Sequence, residues 1–419
     1  MSEENNEKSA LVPRLRFPGF RREDDWDEKK LGDVAVFFKG KGLPKSDITP
    51  NGKRPCIHYG ELFTEYLEVI ESTKSRTDLT EGTFVSAKND VLMPTSDVTP
   101  SGLAKASCLK LEGVILGGDI LVIRTDEQEI CGEFLARQIR HLERKVLQLV
   151  SGSTVFHLYA TSIDKLALSV PGMLEQQKIA DCLSSLDELI TAETQKLDAL
   201  KTHKKGLMQQ LFPRAGETVP RLRFPEFREA GEWEPKTIGD SCESFSGGTP
   251  STTNKSFYGG EIPFIRSAEI DKEETELFLS NEGLENSAAK MVNVGDILVA
   301  LYGANSGDVA LSKINGAINQ AILCLRHETN NRFVYQYLAH KKEWIIATFI
   351  QGGQGNLSGE IIKAISLFFP KPKEQQCIAD CLSALDDLIT TQSQKIDALK
   401  THKKGLMQQL FPVLHEVQG

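Results

Sequence analysis

A block of 39 residues occurs twice, at 175–213 (EQQKIADCLSSLDELITAETQKLDALKTHKKGLMQQLFP) and at 374–412 (EQQCIADCLSALDDLITTQSQKIDALKTHKKGLMQQLFP), identical at 32 of 39 positions. A shorter repeat opens each half, VPRLRFPGFR from Val12 and VPRLRFPEFR from Val219. Between these markers lie two long stretches with little mutual identity. Near-identical frames around unlike contents point to one scaffold used twice, holding two different surfaces. The expected organisation is a globular domain over 12–174, a helix over 175–213, a second domain over 219–373 and a second helix over 374–412.

The repeated block carries an apolar seam. Ile179, Leu183, Leu186, Ile190, Leu197, Leu200, Leu207 and Leu211 step by four and three residues, with Glu193 and Lys204 in the two remaining places. The second copy repeats the rhythm with Ile378, Leu382, Leu385, Ile389, Gln392, Ile396, Leu399, Lys403, Leu406 and Leu410. A seam sustained over this length is a coiled-coil pattern, and Pro213 and Pro412 mark where each helix stops. One narrow seam needs a partner, and the simplest is the other copy, running antiparallel so that the chain closes on itself. Glu193 and Gln392 interrupt the seams near their midpoints, where a polar residue fixes register at some cost in stability. A helix of this length spans ~58 Å at 1.5 Å per residue, the length of ~17 base pairs. A dimerisation coiled coil between separate chains is the other way to cover the seam.

Charge narrows the function classes. The chain carries a net charge of -9, which excludes a protein that coats polyanions indiscriminately. Residues 12–174 hold 22 basic and 23 acidic side chains and residues 214–373 hold 17 and 20, so both inserts are close to neutral. Nucleic-acid binding then needs local basic patches or a partner that supplies positive field. The first ten residues are polar and acidic and no apolar run approaches a membrane span, so a cytoplasmic protein is expected. The eight cysteines show no C-x-x-C pair and no metal spacing with histidine, and read as ordinary thiols.

The inserts mix short strand-like runs (34–38, 114–116, 120–123; 297–301, 321–325) with helical stretches (133–150; 332–349). Trp26 matches Trp233, Gly32-Asp33 matches Gly239-Asp240, and Pro55 lies near the place of Pro263. Two similar α+β domains are therefore expected. Their loops differ in chemistry. The first insert offers Lys39, Lys41, Lys45, Lys53 and Arg54, then His58 and Tyr59 in the segment CIHYGELFTEY. The second offers Thr249 and Ser251 beside Gly247-Gly248, then Asn254, Lys255, Arg266 and Ser267. It continues with Tyr302, Asn305 and Ser306 in YGANSG, and Gln351, Gln354 and Asn356 in QGGQGN. Glycine lets backbone approach a ligand closely, and Arg, Lys, Asn and Gln read base edges. These nineteen residues are the candidate DNA-binding set. Each loop alone is also consistent with a plain turn.

Catalytic signatures are missing. There is no HExxH, G-x-S-x-G or Walker segment, no G-x-G-x-x-G between strand and helix, and no Asn-Pro-Pro-aromatic methyltransferase segment. KGKG is not a phosphate loop. His203 and His402 repeat with the helices and read as structural or partner-facing. No catalytic residue and no metal ligand is expected.

The order LRFPxF, Trp, Leu-Gly-Asp, variable domain, then EQQxIADxLSxLDxLI and a long helix, all repeated once, resembles the specificity subunit of a type I restriction–modification system. The resemblance covers residues 12–412. It implies two target-recognition domains related by a pseudo-twofold axis, each reading one half of a split, asymmetric site in double-stranded DNA. The antiparallel helix pair would separate them and dock two methyltransferase subunits, which restriction/translocase subunits join. No cofactor is implied for this chain; the partner subunits would use S-adenosylmethionine, ATP and Mg. The second insert carries the family's GGTP (247–250) and QGGQGNLS (351–358), whereas the first has Gly40-Lys41-Gly42-Leu43-Pro44 and HLYAT (157–161) at those places. The halves should therefore read different sequences. A stand-alone DNA-modifying enzyme and a tandem coiled-coil scaffold that binds protein are the alternatives. Missing catalytic motifs weigh against the first. Salt-dependent, sequence-selective DNA binding of the assembled complex separates the resemblance from the second.

Overall fold

The computed structural model describes residues 11–350 and 356–412. Helix and strand mix throughout, and the two long helices run Met173–Leu211 and Pro372–Leu410. The chain forms two compact units: residues up to Glu193 together with those from Lys395 onward, and Thr194–Gln394. The division falls at the middle of each long helix. No helix among the described residues is long and apolar enough to cross a membrane.

In the first unit, strands Ala35–Lys39, Ile120–Thr125, Asp90–Pro94, Ser107–Leu109 and Val69–Ile70 line up in that order. Ile120–Thr125 opens ILVI and is buried through its first four residues, the composition of a central strand covered on both faces. A second sheet orders Ser75–Thr77, Arg54–Ile57, Ile115–Leu116 and Phe84–Val85, with Arg54–Ile57 parallel to Ile115–Leu116. Asp27–Lys30 pairs antiparallel with Ala167–Val170, which brings the start of the insert beside its end.

The second unit repeats this plan. Cys242–Ser246, Ile322–His327, Ile297–Ala300 and Val309–Leu311 form one sheet in that order. Phe278–Leu279, Tyr258–Ile265, Gly316–Ile318 and Lys290–Val292 form the other, again with a parallel pair at its centre. Glu234–Thr237 pairs with Ser366–Phe369. Side-chain details recur as well. Arg124 pairs with Asp90 beneath Phe38 (4.9 Å to the ring centre), and Arg326 pairs with Asp296 beneath Phe245 (5.0 Å). Trp26 meets Phe134 edge-on at 5.9 Å, and Trp233 meets Phe333 at 6.0 Å.

The expected helix over 133–150 runs as two pieces, Gly132–His141 and Glu143–Gln148. Leu142 leaves the helical region (ψ 20°), and this turn lets Leu142 and Val146 stay in the core beside Leu103 and Ala104. The corresponding helix of the second unit, Asn331–Phe349, is unbroken, and the Asn330 side chain caps it by accepting from Phe333 N–H.

The two short motifs that open each half find their purpose here. In the first unit Leu15 N–H donates to Gln409 O (2.9 Å), and Arg16 donates from Nε and Nη2 to Glu175, both at 2.8 Å. In the second unit Leu222 N–H donates to Gln210 O (2.9 Å), and Arg223 donates to Glu374 at 2.7 and 2.8 Å. The lead-in segment of each domain thus clamps the C-terminal turn of one long helix and the EQQ start of the other.

Inside the first unit Asp187 pairs with Lys403 (2.5 Å) and Glu193 with Lys395. Inside the second, Lys204 pairs with Asp386 (2.5 Å), and Met208 and Leu211 share a core with Ile378 and Leu382. Rising numbers on one helix meet falling numbers on the other, so the segments run antiparallel within each unit. Every seam position from Ile179 to Leu211 and from Ile378 to Leu410 is buried or half-buried, while the off-seam Leu189 and Leu388 are exposed. The lysines at the two seam places are taken up by carboxylates.

Candidate nucleic-acid interface

Sheet register decides which loops of the second unit meet. Ser246 pairs with Leu323 and Ala300 with Ile322, so the ends of two strands and the start of a third share one edge. Thr249 donates its hydroxyl to Gln320 Oε1 (2.7 Å), Leu301 N–H donates to Ala321 O (2.8 Å), and Leu357 N–H donates to Leu301 O (2.9 Å). These bonds gather Thr249, Tyr302, Asn305, Ser306 and Asn356 at one end of the sheet. The GGTP loop reaches this place because Gly247 has no side chain: a Cβ there would lie 1.8 Å from Ile318 O. Gly303 and Gly307, at φ 83° and 88°, turn the 302–307 loop back. The Ser306 hydroxyl is spent on Leu301 O (2.9 Å). Tyr302 and Asn356 are exposed. Gln351 and Gln354 lie outside the described residues.

The other candidates of this unit sit differently. Ser251 bonds Thr253, and Asn254 caps the short turn Lys255–Phe257 by accepting from Ser256 N–H at 3.2 Å. They lie before the strand Tyr258–Ile265, whose register is broken between Tyr258 and Ile262, with Arg266 and Ser267 after it. Arg266 is committed to carboxylates: it donates to Glu269 at 2.7 and 3.0 Å and to Glu276 at 2.6 Å. Burial alone would raise the Glu269 carboxyl, but the Arg266 guanidinium, the backbone N–H groups of Arg266 and Glu276 and the Thr275 hydroxyl hold it at about 2. The arrangement makes Arg266 a brace of its loop, with Nε and Nη2 taken by carboxylates.

In the first unit four candidates gather around Gly117, Gly118 and Asp119. Lys39 pairs with Asp119 (3.5 Å), Lys41 N–H donates to Leu116 O (3.0 Å), and Gly117 N–H donates to Ile57 O (3.0 Å), just before His58 and Tyr59. Gly40 mirrors Gly247: its Cβ would lie 2.0 Å from Gly117 O. His58 Nδ1 accepts from Gly60 N–H (3.2 Å), so the neutral ring carries its proton on Nε2, and the ring lies 4.7 Å from that of Tyr59. Lys53 and Arg54 stand at the opposite end of the strand Arg54–Ile57, where Lys53 N–H donates to Asp78 (3.1 Å); Lys45 opens the exposed turn Lys45–Asp47. The structure does not bring Lys53 and Arg54 to the His58 end.

Several residues at the same edges escaped sequence reasoning. Thr95 N–H donates to Asp119 O and Leu158 N–H to Thr95 O, which adds the small sheet of Ser96–Asp97, Phe156–His157 and Ser151–Gly152. It exposes Val98 (70 %), Val155 and Tyr159, with His157 stacked on Tyr159 at 6.0 Å. The only forewarning was HLYAT standing where the other insert has its Gln/Gly stretch. Gln320 carried no signal at all. What these edges present is hydroxyls, amides, lysines, imidazoles and exposed apolar groups on glycine-shaped loops, a set able to hydrogen-bond and pack against base edges and phosphates. Among the described residues no group of three or more His, Cys, Asp or Glu is placed to hold a metal ion.

Comparison with known proteins adds a family. A model described as type I restriction modification DNA specificity domain matches residues 23–202 and 230–401. The chain is 26 % identical over 314 residues to a putative type I restriction enzyme MjaX specificity subunit of Methanocaldococcus jannaschii, covering 72 % of each. It is 22 % identical over 407 residues to the MjaVIII specificity subunit of the same organism, covering 94 % of this chain and 93 % of that one. Its fold is similar to that of a type I restriction-modification S subunit from M. genitalium, with a TM-score of 0.64 at 16 % identity, over 97 % of this chain and 100 % of the other.

Proposed function

This chain belongs to the type I restriction modification DNA specificity family, and from that membership we propose that it is the DNA-recognition subunit of a type I restriction–modification complex. It is a non-catalytic subunit. The domains over 12–174 and 219–373 each read one half of a bipartite, asymmetric site in double-stranded DNA. The helices over 175–213 and 374–412 pair as an antiparallel coiled coil, which sets the gap between the half-sites and docks two methyltransferase subunits. Restriction/translocase subunits complete the assembly in the cytoplasm. S-adenosylmethionine, ATP and Mg belong to those partners.

The observation that carries the reading is the contrast between frame and content. Both units share one sheet plan and one set of half-buried ion pairs. At the same sheet edge, however, one offers Lys39, Lys41, His58 and Tyr59 and the other Thr249, Tyr302, Asn305 and Asn356. Shared geometry with unlike donors and acceptors is what two different half-sites require. The near-neutral charge of both inserts supports a division of labour in which the partners supply much of the phosphate-directed field. Sequencing of methylated DNA from cells making the chain with its methyltransferase tests this. A split motif with unlike halves is expected. A palindromic motif, or methylation unrelated to sequence, contradicts it.

A further inference from the structure

Where the strand Asp90–Pro94 ends, at the sheet edge that carries Lys39, the first unit adds its small antiparallel sheet. Thr95 N–H donates to Asp119 O (2.9 Å) and Leu158 N–H to Thr95 O (3.0 Å), while Phe156 pairs with Asp97 and His157 with Ser96. The hairpin of Ser151–Gly152 and Phe156–His157 supplies the rest of the sheet. Side chains alternate across a strand. Phe156 and Leu158 turn inward to the core of the unit, where Leu158 is buried. Val155, His157 and Tyr159 therefore share the outward face, with the His157 and Tyr159 rings stacked. Val98 follows Asp97 and Val155 precedes Phe156, so the two valines flank the last paired rung. They are 70 % and 44 % exposed, and Tyr159 is 55 % exposed.

Ser96 and Ser151 both pair with His157 and complete this face, which holds no Asp, Glu, Lys or Arg. The one carboxylate of these strands, Asp97, is spent on Val98 N–H (2.7 Å) and the Thr99 hydroxyl (2.9 Å). A face without charge adds nothing to phosphate binding, so within a DNA interface its place is against base edges. The major groove admits a two-stranded β-ribbon, and the thymine 5-methyl is the apolar group that the base pairs display there. Continuity with the loops of Lys39, Lys41 and His58 makes the occupant the same duplex that those loops meet. The edge of the second unit offers Tyr302, Asn305, Gln320 and Asn356 instead, hydroxyl and amide groups suited to hydrogen bonds with base edges.

We propose that Val98 and Val155 read thymine methyl groups in the major groove, which makes them specificity determinants of the half-site that the first unit reads. The inference rests on the function proposed above. That half-site then contains at least one A·T pair. It is identified as the half that persists when residues 219–373 are exchanged. The test is the affinity of the complex of full chain and methyltransferase for duplexes in which single thymines of this half-site are replaced by deoxyuridine, which lacks only the methyl. Burial of one methyl is worth about fourfold in affinity, so at least one replacement should weaken wild-type binding by about that factor. In Val98→Ala with Val155→Ala the same replacement should cost less than about twofold. Both side chains are exposed, so the core is untouched. Val155→Thr keeps the branched shape while replacing a methyl with a hydroxyl; it should also narrow the difference, and serves if the double variant binds too weakly to titrate. A half-site without A·T pairs, indifference of the wild type to every replacement, or a difference unchanged in the variants overturns the inference alone. So does a variant that loses methyltransferase recruitment while wild-type binding ignores the methyls, since the face would then hold protein. A wild-type complex without sequence-selective DNA binding overturns the functional reading and this inference with it.

Discussion

Glu374→Ala should loosen the second unit and leave the first intact. Glu374 is 1 % exposed and Arg223 10 % exposed, and two bonds of 2.7 and 2.8 Å join them. Removing one partner of a buried ion pair costs about 3–5 kcal/mol, because the other charge stays behind. Arg223 keeps a bond to Gly231 O (2.7 Å), which places the cost at the lower end, about 3 kcal/mol. Amide hydrogen exchange reads this unit by unit. Protection of the Ile322–His327 and Ile297–Ala300 strands should fall by about a hundredfold, while the Ile120–Thr125 strand stays protected behind its own Arg16–Glu175 pair. Replacing both partners, Arg223→Met with Glu374→Met, should recover most of the loss, since no buried charge is left. Protection in the second unit within about fivefold of wild type would refute the claim that this pair clamps the domain to its helix.

Other outcomes follow from single distances and charges. Inserting one heptad into both long helices adds ~10 Å and should widen the unread gap by ~3 base pairs; an unchanged gap in the methylation motif contradicts the spacer role. Gly247→Ala puts a methyl 1.8 Å from Ile318 O, so the GGTP loop must shift at about 1–3 kcal/mol; one half of the motif should degrade and the other persist. Burial against Phe212 pushes His340 from 6.5 down to about 4. The folded state then binds fewer protons than the unfolded one between those values, so the second unit loses stability as pH falls from 6.5 toward 4. Denaturation of His340→Phe across that range should show a shallower dependence on pH.

The long helices were legible because the spacing of their apolar residues is itself the physical cause of their burial. The glycine-shaped loops at Thr249, Tyr302 and Asn305 were legible for a related reason: glycine in such a context marks backbone that must pass close to something. What stayed hidden depends on partners distant in sequence. Arg16 and Glu175 are 159 residues apart, and although both motifs repeat, nothing in either names the other. Gln320 reaches the candidate edge only through strand register. Arg266 has the chemistry of a base reader, yet Glu269 and Glu276 claim its guanidinium. Lys53 and Arg54 share a short basic segment with His58 but stand away from its end of the strand, because the extended residues Arg54–Ile57 lie between.

The most direct measurement is the methylation motif of a chimera. Residues 219–373 are exchanged for the corresponding insert of a relative with a known site, and methylated DNA from cells making the chimera with its methyltransferase is sequenced. One half of the bipartite motif should be replaced, with the other half and the gap preserved. A change in both halves, or in neither, would contradict independent reading by two domains on a common frame.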